Sequence, residues 1–570
     1  MYCSIRIGGE AGQGIQTVGD TLARVFSRSG YHVFTWQDYE SRIRGGHNFY
    51  QVQVSDSRIT APDNSIDILV AFDSEAISSD AGLVRENGYI LYDSTVLKGL
   101  NLPGNQINIP FAGLAVEHGG SRIMANTVAV GAVLGMLGAD MDVLLRIISD
   151  TFGGKGSDTV RTNSVAANAG YDHALRSCSN CSPGLSSVSV PKMLISGIDA
   201  IGFGAAASGC RFYSAYPMTP STGIMNYLAS KEKDLGIIVE QAEDEIAAIN
   251  MAIGASFGGV RSMTASSGGG FALMVEGLSL AAMTETPIVI GLGQRPGPAT
   301  GLPTRTEQGD LNFALYTAHG EFPRIIFAPG DPEQAVYLTS KAFDLAEKYQ
   351  VPAIVLFDTF LADTQWTYDG IDLTKIVYND HRLRSEDLAA LHVYDRHVLT
   401  ADGVSPMAVP GGSEHVVVTD SDEHTEDGHI TEDAVIRRKM VEKRLFAKLP
   451  LIKNEISPPS LYGDNDPEIL LVGWGSTFGV IRSVADILQK HGRKAAMLHF
   501  SELYPFPSET GYLSLLKKAR TAICIENNAT GQFNRLLRTE TGFRCGSEIH
   551  KFDGRPFTVE GLLGEVNALI

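Results

Sequence analysis

Three segments of this sequence set chemically capable residues where a parallel α/β fold presents its ligands. The first, Tyr216-Pro217-Met218-Thr219-Pro220-Ser221-Thr222, follows the strand-like run FYSA. Two prolines stiffen the turn, Thr219 offers a hydroxyl, and Ser221 and Thr222 suit the cap of a following helix. The second, Glu240-Gln241-Ala242-Glu243-Asp244-Glu245, leads into IAAINMAIGASF. Acids in a first helical turn answer the helix dipole, which is the ordinary role for any one of them. Glu245 stands apart because its helix is apolar or small on nearly every side, so the carboxylate is expected to be buried and to need a partner. The third, Gln294 to Arg305 in QRPGPATGLPTR, follows the buried-strand pattern PIVIGLG. Arg295 and Arg305 frame a Gly/Pro loop and suit bidentate recognition of carboxylates, although a surface ion pair is the commoner fate of a single arginine.

A fourth segment lies near the N-terminus, where YCSIRI runs into Gly8-Gly9-Glu10-Ala11-Gly12-Gln13-Gly14 and then into a helical pattern. Backbone N–H groups of such a loop, set at a helix N-terminus, attract phosphate. The dinucleotide fingerprint is not met after Gly14, and a tight turn needing glycine for sterics is an equal alternative. Cys178 and Cys181 form a lone C-x-x-C with no second pair for a zinc or iron–sulfur site, and they read as free thiols. His415, His424 and His429 sit among acids in the stretch 413–430, which reads as a solvated arm rather than a metal site.

The elements that must position these residues alternate strand and helix, which predicts α/β domains with parallel sheets covered on both faces. Residues 1–176 form one such domain. Residues 177–192, SCSNCSPGLSSVSVPK, are a linker without periodicity. A second α/β domain spans 193–375, an acidic and histidine-rich connecting arm 376–465, and a third α/β domain 466–570. The fold class is therefore α/β, with three Rossmann-like domains of parallel sheet and a long arm. A chain of 570 residues exceeds a single core. The formal charge of −19, without a basic run, argues against nucleic acid. Six scattered cysteines suit a reducing cytoplasm, and the uncharged stretch from Ile123 to Ala139 is too short for a membrane span. The first residues lack an apolar signal core, so export is not expected.

Taken together, the motifs resemble the 2-oxoacid:ferredoxin oxidoreductases, specifically the alpha subunit of the 2-oxoglutarate enzymes with a gamma domain fused at its N-terminus. GGEAGQG and SRIRGGHNF are similar to the gamma domain. AYPMTPST, EDEIAAINMAIGAS and GPATGLPT are similar to the pyrimidine-side thiamine domain. ADGVSPMAVPG with DEHTEDGH resembles the arm, and LLVGWGST, ELYPFP and ENNATGQF resemble a transketolase C-terminal-like domain. The resemblance implies a thiamine diphosphate shared between two chains, with Glu245 contacting the aminopyrimidine beside Tyr216 and Pro217. Thr219 and Arg295 would bind the 2-oxoacid, and Arg305 is a candidate for a second carboxylate.

Gly12, Gly14 and His47 would line a coenzyme A cleft. With no GDG…NN motif and no cysteine set, the resemblance implies no metal on this chain. A beta subunit would carry Mg²⁺ and a [4Fe–4S] cluster in an (αβ)₂ assembly that reduces ferredoxin. The acidic surface implies that ferredoxin docks mainly on that partner. The implied reaction converts 2-oxoglutarate and coenzyme A to succinyl-CoA and CO₂, with the reverse direction available for CO₂ fixation. Pyruvate or a branched-chain 2-oxoacid is the alternative substrate, and a non-catalytic nucleotide-binding scaffold is the alternative of another class.

Overall fold

Runs of β-branched and aromatic residues with short turns between them build the first sheet. A computed structural model describes residues 2–42, 45–98, 104–178, 190–376, 378–508 and 511–570. Two units emerge. The first comprises Met1–Ser196, Asp363–Ile371 and Thr558–Glu560, and the second Gly197–Ala362, Asp372–Phe557 and Gly561–Ile570. The sheet of the first unit runs, edge to edge, Asn105–Asn108, Val84–Tyr92, Ile66–Ala71, Tyr2–Ala11, Gly45–Ser55, His32–Asp38, Gln365–Tyr368 and Met193–Ser196. The half from Asn105–Asn108 to Tyr2–Ala11 is parallel, as expected. The other half is antiparallel. Between His32–Asp38 and Gly45–Ser55 the connection is too short for the crossover that parallel pairing requires, so those strands turn back on each other.

The stretch around Ile123–Ala139 is a core element. The helix Ala125–Leu137 crosses Ser157–Ser177 backbone to backbone. A Cβ on Gly131 would lie 2.0 Å from the Ala167 carbonyl oxygen, and one on Gly170 would lie 2.1 Å from that of Val128. Larger residues would prise the pair apart, which explains a run that is apolar, small and uncharged. Among the described residues no single helix is long and apolar enough to cross a membrane.

The second unit holds two sheets. The larger runs Glu502–Tyr504, Ile325–Phe327, Pro352–Asp358, Ile288–Gln294, Ser262–Ser267, Phe212–Ala215 and Ile238–Gln241, parallel except for its first strand. The smaller runs Ser460–Gly463, Ala495–Phe500, Ile469–Trp474, Thr521–Glu526 and Ser547–His550, again with one antiparallel edge. One apolar core joins the two, with Ile290, Leu292 and Ile354 from the first packed in the same cluster as Leu470, Trp474 and Leu498. Parallel strands buried on both faces direct their carboxyl ends to one rim, where ligands bind in such sheets. The FYSA, RSMTASS and PIVIGLGQ strands all end there.

Candidate active site

Glu245 is the first residue of the helix Glu245–Phe257, but it is not the cap. Asp244 takes that role, accepting a hydrogen bond from the Ala247 N–H at 2.8 Å. Glu245 is thereby released from the helix end, and at 3% exposure it is buried. Ser266, at the end of the strand Ser262–Ser267, donates its hydroxyl to Glu245 Oε1 at 3.1 Å. The other oxygen, Oε2, accepts no hydrogen bond from the described residues. The helix itself is less buried than its composition suggests. Ile246 and Met251 are exposed while Ala248, Ile249, Ala252 and Ile253 face the core, because an all-apolar helix does not reveal which face packs.

The triglycine that follows Ser267 makes room for this carboxylate. A Cβ on Gly270 would lie 2.2 Å from Glu245 Oε1 and 2.0 Å from Ser266 Oγ. Gly268 faces a second acid in the same way, with a Cβ there meeting Asp310 Oδ2 at 2.9 Å. Ser266, Gly268, Gly270 and Asp310 were not singled out from the sequence. The run SSGGG at a strand's carboxyl end was the available signal, since three glycines opening a helix cost stability unless something crowds them. Gly270→Ala is expected to weaken binding of the group that Glu245 holds by about tenfold or more, as overpacking of about 1–3 kcal/mol falls on the carboxylate; calorimetric titration measures it.

The YPMTPST turn and the QRPGP loop converge on the same rim. Ser266 Oγ is also 3.7 Å from Met218 Sδ, in the YPMTPST turn. Arg295 donates from a terminal nitrogen to the Thr219 carbonyl oxygen at 2.9 Å, tying the turn to the QRPGP loop. The Thr219–Pro220 and Gly297–Pro298 peptides are cis. The Tyr216 ring is exposed, and Pro217 and Thr219 are half-buried. Burial lowers the Arg295 pKa and Asp310 opposes the shift. Arg305, at the other end of the loop, lies against Gly554, and burial plus the neighbouring charge of Arg555 push it down to about 10.

Comparison with known proteins decides what this rim belongs to. The family model described as "Pyruvate flavodoxin/ferredoxin oxidoreductase, thiamine diP-bdg" matches residues 203–443, and "Pyruvate ferredoxin/flavodoxin oxidoreductase" matches residues 4–173. A 2-oxoacid:ferredoxin oxidoreductase subunit alpha from Sulfolobus sp is 33% identical, over 98% of this chain and 95% of its own length. The chain belongs to the 2-oxoacid:ferredoxin oxidoreductase family. The 2-oxoglutarate oxidoreductase subunit KorA of Mycobacterium tuberculosis is 28% identical over 94% of this chain and 86% of its own. A solved 2-oxoglutarate:ferredoxin oxidoreductase from Magnetococcus marinus, with 2-oxoglutarate, coenzyme A and succinyl-CoA bound, superposes with a TM-score of 0.90 at 32% identity. That match covers 100% of this chain and 99% of the other.

In this oxidoreductase alpha subunit the glycine loop of the first unit is also built for close approach. Gly12 and Gly14 take φ of 97° and 78°, a region that favours glycine. A Cβ on Gly14 would lie 1.9 Å from Asn126 Nδ2. Gly14 opens the helix Ile15–Arg28, whose N-terminus has no side-chain cap. Strand register places His47 across from the loop, since Gly9 pairs with Asn48 and Ala11 with Gly45. His47 Nε2 is 3.2 Å from Asp80 Oδ2, and the other Asp80 oxygen receives Arg6 at 2.7 Å. The Asp80 hydrogen bond raises the His47 pKa. Asn126 also lines a cavity of about 200 Å³ with Val18, Arg24, Val130, Ile147 and Phe152.

Two readings of the sequence need correction. Cys178 is disulfide-bonded and not a free thiol, while Cys181 lies outside the described residues. The arm is not solvated throughout, because His424 is fully buried against His397, ring centroids 4.0 Å apart. His397 Nδ1 is 3.1 Å from Glu285 Oε1, and Lys443 and Lys448 both donate to the same carboxylate. Burial would raise the Glu285 pKa, but Lys448, Lys443 and His397 outweigh it and hold the carboxyl well below its usual range. Glu285, His397 and His424 offer ligand atoms within 4.8 Å of one another. A metal ion would meet two ammonium groups already on that carboxylate, so the cluster is an ionic clamp between arm and domain.

Proposed function

We propose that this chain is the thiamine-activating, substrate-binding subunit of a 2-oxoglutarate:ferredoxin oxidoreductase. The observation that carries the reading is Glu245, a buried carboxylate with Oε1 fixed by Ser266 and Oε2 left without a donor. An aminopyrimidine ring nitrogen suits that open acceptor, because a carboxylate held almost wholly out of water gains from a charge-assisted donor. When bound, thiamine diphosphate supplies the carbon nucleophile for attack on a 2-oxo carbon. Glu245 holds a proton at the ring nitrogen and so favours the imino form of the amine beside it. Tyr216 and Pro217 flank the ring, Thr219 hydrogen-bonds the 2-oxo end, and Arg295 receives the adjacent carboxylate. Arg305, with Arg555 beside it, receives the distal carboxylate of a dicarboxylic substrate.

The remaining parts of the proposal concern partners. Residues 1–176 act as a gamma-like domain in which Gly12, Gly14 and His47 bind coenzyme A, supported by the uncapped helix and the raised basicity of His47. The coenzyme is bound in the Magnetococcus marinus relative. A beta subunit supplies the Mg²⁺ and diphosphate ligands and the [4Fe–4S] cluster, in an (αβ)₂ assembly of the cytoplasm whose electrons pass to ferredoxin. Reconstitution with that partner should give ferredoxin reduction dependent on both 2-oxoglutarate and coenzyme A. A substrate panel separates this from the second reading, pyruvate or a branched-chain 2-oxoacid, which the pyruvate-named family models favour. Arg305→Ala should raise KM for 2-oxoglutarate by about tenfold or more while leaving pyruvate unaffected, as loss of one charge-assisted contact of about 1.5–3 kcal/mol implies.

A further inference from the structure

Asp310 does not do what its position in the chain asks of it. It stands immediately before the short helix Leu311–Tyr316, where an aspartate ordinarily accepts a hydrogen bond from the first turn. Asp73, Asp244 and Asp331 do this in this chain, each at 2.8 Å. The Asp310 side chain makes no such bond. Its backbone is nevertheless pinned, with N–H donated to Gln294 Oε1 at 3.0 Å and carbonyl oxygen accepting from Ala314 N at 2.8 Å. The carboxylate turns instead toward Gly268, where only the absence of a Cβ admits it. There it accepts no hydrogen bond from the described residues.

The charges facing it are few. Arg295, from the end of the strand Ile288–Gln294, is the cation whose field reaches it, without a direct ion pair, and Glu307, from the same loop, opposes it. The helix Gly268–Leu273 presents only glycine, and Gln294 and Gln532 are neutral. Half-buried, with no protein donor among the described residues, the carboxylate is left open to solvent and to a ligand entering the rim. Burial pushes the Asp310 pKa up to about 6, with Arg295 acting against the shift.

We propose that Asp310 is a second carboxylate of the substrate site, and that it takes up a proton when the carboxylate of a 2-oxoacid docks on Arg295. This rests on the reading of Arg295 as the substrate's anchor. Two carboxylates within the field of one guanidinium, with the charge of Glu307 adding to theirs, cannot both stay ionised at low cost. The balance is simple, since one proton from solvent forms the O–H bond of Asp310 and no electron moves. The residue therefore sets a preference for monoanionic contact at Arg295 and gives substrate affinity a pH dependence. Affinity should fall toward tenfold per pH unit above about pH 6, where the free enzyme must be protonated in order to bind.

The test uses the intact complex with its partner subunit, freed of thiamine diphosphate so that no turnover occurs. 2-Oxoglutarate is titrated calorimetrically between pH 5.5 and 8 in buffers of differing ionisation enthalpy. Wild type should take up close to one proton per site near pH 7.5, and Asp310→Asn should take up none and lose the alkaline decline in affinity. Equal heats in all buffers for wild type, or an unchanged proton count in Asp310→Asn, would overturn the proposal. The wild-type count decides alone should the variant not fold. Arg295→Gln separates the two layers. If it binds 2-oxoglutarate as wild type does, the anchor reading fails. If it loses binding while Asp310→Asn still takes up the proton, only the inference about Asp310 fails.

Discussion

Glu245→Gln should leave the fold intact and reduce turnover by about 10²–10⁴-fold, the usual worth of a positioned acid–base group. The substitution keeps shape, and the glutamine carbonyl can still accept the Ser266 hydroxyl that now binds Oε1 at 3.1 Å. What disappears is the negative oxygen proposed to share a proton with a ring nitrogen. Asp244 continues to cap the helix, so melting behaviour should stay within a few tenths of a kcal/mol of wild type, as for changes away from packed or paired features. Steady-state kinetics beside calorimetric thiamine diphosphate binding check this. Activity within tenfold of wild type would remove Glu245 from its role.

The largest stability effect should come from Glu285→Gln, far from the rim. Lys443 and Lys448 both end on this carboxylate, and Arg396 donates to the Glu285 backbone carbonyl at 2.7 Å. All three cations are at least 97% buried. Removing the single anion leaves positive charges facing one another without solvent, at a cost of about 3–5 kcal/mol. Burial, partly offset by Glu285, already pushes Lys443 down to about 8. A lysine depressed in the folded state weighs against folding below that pH and ceases to do so as pH rises through 8 toward its ordinary 10.5. The variant should therefore lose most stability at neutral pH and recover part of it near pH 9. Denaturant unfolding and hydrogen exchange over Ala434–Glu455 report it. Combining Glu285→Gln with Lys443→Met and Lys448→Met should restore most of the loss, and failure to do so would mean that packing, not charge, sets the effect.

Much of the rim was legible in the sequence because its signals are local. The prolines of YPMTPST, the acid opening an apolar helix and the arginines of QRPGPATGLPTR each announce a turn or a charge that needs explaining, and the Arg295–Thr219 contact joins two of them. What stayed hidden depends on neighbours remote in sequence. Gly270 is an ordinary glycine until Glu245 arrives from across the strand, and Asp310 reads as a helix cap until Gly268 is seen to admit it. The arm looked solvated because its composition is acidic and polar, yet His424 and two lysines close on Glu285, a residue more than a hundred positions earlier. Composition reports average exposure and cannot identify which polar residues find each other.

The N-terminal sheet has a consequence for how this polypeptide can be divided. Two of its eight strands, Met193–Ser196 and Gln365–Tyr368, belong to chain that comes after the stretch 177–192. A gene split at that stretch would yield an N-terminal fragment whose strand His32–Asp38 has an open edge, with the hydrogen bonds to Gln365 and Trp366 unmade. Exposed edges of that kind recruit other chains. A free-standing version of this unit would need an edge of its own, through a charge, a proline or a covering segment, so fission here asks for remodelling and not merely a stop codon and a new start.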